Sequence, residues 1–138
     1  MVIQKSLSIR TSGRGTQEIT RDVNKLVSVT KISHGICNIY VLHTSASLMI
    51  CENADPDVHR DLETIISRLA PDGDPAYVHT TEGPDDMAAH ARSVLTGVSL
   101  SIPVRQGRCM LGTWQGIYLW EHRKHPQQRE VMITIYGE

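Results

Sequence analysis

Val98, Leu100, Ile102 and Val104 alternate with Ser99, Ser101 and Pro103. An apolar residue at every second position puts all four on one face of a strand, and no helix can gather them on one side. The same period returns in QKSLSIR, where Leu7 and Ile9 alternate with polar residues, and in REVMITIY at 129–136. CNIYVL at 37–42 is a short apolar run of buried-strand type. GIYLWEH at 116–122 and REVMITIY, joined by RKHPQQ, predict an antiparallel hairpin.

Three segments carry the helical period instead. In ITRDVNKLVSV, Ile19, Val23, Leu26 and Val27 fall on one stripe, with Thr20 as N-cap. Asp55 followed by Pro56 starts a second helix, and Val58, Leu62, Ile65, Ile66 and Leu69 form its expected buried stripe. DDMAAHARSVLTG opens at Asp85 or Asp86 and stops at Gly97. Strands interleaved with helices in this order predict an α+β fold. At 138 residues the whole chain, 1–138, reads as one domain with its own core. With no Phe and 4% aromatics, that core is built from Ile, Val, Leu, Met and Ala.

A net charge of −1 removes the electrostatic case for nucleic acid or an anionic membrane as partner. No apolar run approaches the roughly 20 residues of a membrane helix. Three cysteines without a C-x-x-C pair, and an N-terminus without an apolar signal core, predict a cytoplasmic protein with reduced thiols. Charge is unevenly distributed. Residues 51–90 hold ten Asp or Glu against only Arg60 and Arg68, and enclose His59, His79 and His90. That segment is either a solvated acidic face or a field suited to a cation.

His43 ends the strand of residues 37–42 and is followed by the hydroxyls of Thr44 and Ser45, a place where side chains are held rigidly yet open to a pocket. His79 and His90 come from other segments, and there is no local zinc template such as H-E-x-x-H. Three histidines from separate elements can form an open metal site, with Asp86 one helical turn before His90 as an orienting carboxylate; they can equally cap helices or satisfy carbonyls. GTWQG at 112–116 brackets Trp114 and Gln115 with glycines, suited to a ligand's close approach or to a turn. Glu121 shares the core-side parity of Ile117 and Leu119 and needs a partner. Arg129, facing it across the expected hairpin, makes either a structural ion pair or a phosphate contact beside a pocket acid. Arg123 and Lys124 are further candidate phosphate contacts. There is no G-x-S-x-G, P-loop or Rossmann glycine fingerprint.

HTSASLMICENADPDVHRDLE, HTTEGPDDMAAH, LTGVSLSIPV and LGTWQGIYLWEHR, in that order, resemble the YjbQ-like family, also called the secondary thiamine-phosphate synthase family. The likeness runs over nearly the whole chain. It implies an α+β fold in which a two-sheet β-sandwich of about seven strands is flanked by helices, and a homotrimer. The family's polar signature falls here on His43, Thr44, Ser45, Asn53, Asp55, Asp61, His79, His90, Trp114, Gln115 and Glu121. The resemblance implies a divalent metal, zinc by ligand type, on His43, His79 and His90, with magnesium as the alternative alongside a pyrophosphate substrate. Glu121 and Asp86 are the expected catalytic carboxylates, and Thr44, Ser45, Asn53, Asp55, Trp114, Gln115 and Arg129 the expected substrate contacts. The implied reaction is transfer of a hydroxymethylpyrimidine group to thiazole phosphate with release of pyrophosphate. The dedicated enzyme for that reaction is a (β/α)₈ barrel, typically of about 250 residues. This chain is far shorter, which makes the transfer a secondary activity beside some other phosphorylated small molecule. The alternatives are a metal-dependent hydrolase and a non-enzymatic trimeric metal- or ligand-binding module.

Overall fold

A computed structural model describes all 138 residues. In chain order the elements are β1 (Val2–Arg10), β2 (Gly15–Glu18), α1 (Thr20–Val29), β3 (His34–Val41), β4 (Ala46–Glu52), α2 (Pro56–Leu69), α3 (Asp86–Thr96), β5 (Ser99–Arg105), β6 (Arg108–Cys109), β7 (Gln115–Glu121) and β8 (Gln128–Gly137). They form two antiparallel sheets, one of five strands in the order β1-β8-β3-β5-β6 and one of three in the order β2-β7-β4. The architecture is the α+β, two-sheet arrangement expected from the resemblance, with eight strands counting the two-residue β6.

Between the sheets lies a core of 18 buried residues. The alternating segments supply it: Val131, Ile133 and Ile135 of β8 sit in register with Leu7, Lys5 and Ile3 of β1, and with Val41, Ile39 and Cys37 of β3. On β5, Ile102 and Val104 are buried and Leu100 packs against the same cluster. In α1, Val23 and Val27 are fully buried and Leu26 partly so.

Several expectations are corrected. β7 and β8 do not form a hairpin: β7 pairs with β2 and β4, while β8 pairs with β1 and β3. The segment 122–127 crosses from one sheet to the other, because both strands present an apolar face and each finds its partners on its own side of the sandwich. Residues 46–52 are a full strand, β4, whose polar Ser47 is buried. The segment around His79 is irregular. Ile19 and not Thr20 is the N-cap of α1; the Thr20 hydroxyl instead accepts the Ile117 N–H at 2.8 Å and donates to Glu18. The α2 stripe is largely uncovered, with only Ile66 buried while Ile65 and Leu69 are 51% and 66% exposed. Asp55 does cap α2, accepting from the Asp57 N–H at 2.9 Å, with Pro56 at the first turn. No helix is long and apolar enough to cross a membrane.

Candidate metal centre

Helix α3 begins at Asp86 with Asp85 as its N-cap. Carboxylates are favoured there, at the positive end of the helix dipole. Asp86 is almost fully buried, and both of its oxygens are engaged. Oδ1 accepts from Arg123 Nη1 at 2.7 Å. Oδ2 lies 2.7 Å from His79 Nε2 and 3.2 Å from His90 Nε2. His90 follows Asp86 by one helical turn, while His79 reaches in from the irregular segment before the helix, and the two imidazoles meet edge to face at 5.4 Å. Burial alone would raise the Asp86 pKa, but the His79 hydrogen bond and the positive charges around it outweigh that and hold the carboxyl below its usual value.

Arg123, from the crossover between β7 and β8, fixes this corner. Its Nε donates to Asp85 Oδ2 at 2.9 Å and its Nη2 to the Glu82 carbonyl at 2.8 Å. The Lys124 N–H adds a bond to Asp85, and the Lys124 ammonium lies 3.2 Å from Asp72. Arg123 and Lys124 thus engage protein carboxylates. Asp72 in turn takes both terminal nitrogens of Arg14, at 2.7 and 2.9 Å. The outcome is a rigid frame behind Asp86 and an open front. The side chains of His79 and His90 remain 40% and 34% exposed.

One ring nitrogen of each histidine and a carboxylate oxygen of Asp86 lie within 4.8 Å of one another. Two imidazoles and an anionic carboxylate, with an exposed side, match the donor set of catalytic zinc sites. His43 is placed differently. Its Nε2 accepts the backbone N–H of Glu130 at 2.8 Å, just beyond the last β3–β8 pair. Its ring lines a groove of about 600 Å³ together with Thr44 and His90, and the groove's apolar wall comes from Tyr40, Leu42, Val94 and Val98.

The remaining expected residues fall elsewhere. Glu121 and Arg129 are buried between the sheets and bonded to each other, with Arg129 Nε donating to Glu121 Oε1 at 2.8 Å. The Thr11 hydroxyl and the Arg123 N–H also donate to Glu121, and Arg129 donates to both oxygens of Ser45. Asn53, Asp55, Trp114 and Gln115 lie beyond the other end of β4. The Asn53 amide donates to the carbonyls of Thr113 and Gln115, and Gln115 accepts from the Gly112 N–H. Ser45 and Asn53 bracket β4, so at about 3.3 Å per residue the two groups stand some 25 Å apart. One chain therefore does not bring them to one site.

Sequence reasoning missed the Arg123 clamp, because Arg123 lies on the crossover that a hairpin assignment turns away from α3. It also missed a buried chain of hydroxyls, in which Ser47 Oγ lies 2.8 Å from His122 Nε2 and takes a bond from Thr96. Trp120, Glu63 and Arg92 make a further tie, joining β7 to α2 and α3.

The model of the YjbQ-like UPF0047 family matches residues 5–138. The chain belongs to that family. Among YjbQ-like relatives, the UPF0047 protein sll1880 of Synechocystis is 47% identical over 98% of this chain and 92% of its own length. The YjbQ protein of Salmonella typhimurium is 44% identical over the full length of both. The solved structure of TT1486 from Thermus thermophilus, 36% identical, superposes with a TM-score of 0.86 over 96% of this chain and 99% of its own. That of APE1520 from Aeropyrum pernix, 31% identical, gives 0.89 over 99% of each chain.

Proposed function

We propose that this YjbQ-like chain is a metal-dependent enzyme of small phosphorylated metabolites, with zinc held by His79, Asp86 and His90. The observation that carries this is the open cluster of two imidazole nitrogens and one anionic oxygen within 4.8 Å, on a carboxylate that Arg123 fixes in place. Two imidazoles suit zinc, whereas magnesium prefers an all-oxygen shell and would arrive with a pyrophosphate substrate. A divalent ion there would supply positive charge to an anionic substrate. The chain's residues then have separable tasks. Asp86 is kept ionised by its surroundings, and the groove beside His90 offers apolar wall for the organic part of the substrate. Glu121 and Arg129 hold the two sheets together behind the site.

Within that class, the reaction implied by the resemblance is transfer of a hydroxymethylpyrimidine group to thiazole phosphate, by a homotrimer. The test is product analysis with the pyrimidine pyrophosphate and thiazole phosphate, on zinc-loaded and chelated protein. Thiamine phosphate formed only with metal supports transfer. Pyrophosphate hydrolysis without the coupled product would make the chain a hydrolase. No turnover, with a trimer that dissociates on chelation, would make the metal structural.

A further inference from the structure

A backbone N–H can only donate, so His43 Nε2, at 2.8 Å from the Glu130 nitrogen, must hold a lone pair toward it. A neutral imidazole has one N–H, and it therefore sits on Nδ1. The adjoining bond from Leu42 N–H to the Glu130 carbonyl shows why the ring stands there: past the end of the β3–β8 ladder, the imidazole takes the place of the next backbone acceptor. Burial and the nearby Arg129 charge both disfavour protonation of this ring. Nδ1 has no partner in the chain, and it is not among the buried polar atoms left without one. It is thus an accessible donor on a residue lining the groove that His90 also lines.

We infer that His43 is not a ligand of the metal but a neutral hydrogen-bond donor, through Nδ1, to an anionic oxygen of the molecule bound at the His79–Asp86–His90 centre. This rests on the metal reading above. A nitrogen that carries the ring's only proton has no lone pair for a cation, and freeing Nε2 would strand the Glu130 N–H. The arrangement selects a ligand with a phosphoryl or carboxylate oxygen at the metal end and an apolar portion along Leu42, Val94 and Val98.

Two measurements on the full chain test it. In nitrogen-15 spectra of the histidine rings, His43 should show the Nδ1–H tautomer in metal-free and zinc-loaded protein alike; an Nε2–H tautomer, or a shift on zinc binding that marks coordination, overturns the inference. With inorganic phosphate as probe, zinc-loaded His43→Ala should bind as much zinc as wild type but phosphate about tenfold more weakly, and His43→Asn, which keeps a donor near Nδ1, should recover part of that affinity. Full zinc uptake with unchanged phosphate affinity overturns the role of His43 alone, and so does loss of zinc in His43→Ala. Absence of zinc binding by wild type overturns the metal reading, and the inference falls with it.

Discussion

Glu121 and Arg129 were legible from strand parity, yet the geometry that joins them was not. Both point inward, as the alternation requires, but they meet across the sandwich and not across a hairpin, because parity reports a face and says nothing of the strand on the other side. Their pairing carries a prediction. Glu121→Gln or Arg129→Met alone should lower unfolding free energy by about 3–5 kcal/mol, since each leaves a buried charge unpaired, and the double variant should cost less than the sum. Chemical denaturation of the three variants checks it, and near-neutral single variants would refute it. His122 carries another. Fully buried, it has its pKa lowered from 6.5 to about 3, first by burial and then by Arg92, Arg14 and Arg129. The unfolded chain then binds a proton near pH 6.5 that the folded chain refuses until about pH 3, so stability falls as the pH drops through that window. One such proton costs up to about 1.4 kcal/mol per pH unit, or roughly 2.7 kcal/mol by pH 4.5. Denaturation curves from pH 7 to 4.5 should fall more steeply for wild type than for His122→Gln; equal slopes would exclude His122 as the source.

Among the elements, periodicity served best where one face alone is buried. β5 and β8 match their alternation, and α3 ends at Gly97 as its sequence indicates. β4 was missed because Ser47 interrupts its apolar run, and the run makes sense only once His122 and Thr96 are known to satisfy that hydroxyl. On α2 the period is right and the burial is not: a stripe marks a face that prefers contact, and this chain alone covers only Ile66. The cap of that helix is purely local and was read correctly. Asp55→Ala should therefore cost about 1 kcal/mol in urea unfolding and leave zinc uptake unchanged. A loss of zinc in that variant would mean that α2 supports the metal centre, which no contact of Asp55 indicates.

For the whole molecule, the question is what ties the irregular segment between α2 and α3 to the rest. His79 is its link to the Asp86 corner, and that corner is pinned to the β7–β8 crossover by Arg123. The sequence shows Asp86 and His90 one turn apart but cannot place His79 beside them, since no local period governs an irregular segment. A metal joining all three would bind the folded chain and not the unfolded one, so it should stabilise by mass action, by about 2.7 kcal/mol at a free zinc concentration one hundred times the dissociation constant. His79→Ala and His90→Ala should each lose most of that increment while changing the metal-free stability little, because both side chains are substantially exposed. If the proposed homotrimer forms and the ion serves chemistry and not assembly, light-scattering mass should read three chains both with and without chelator. Thermal or chemical unfolding with and without zinc decides the matter: an equal increment in wild type and both histidine variants would remove the centre, and a mass that falls on chelation would move the ion's role from substrate to subunit contact.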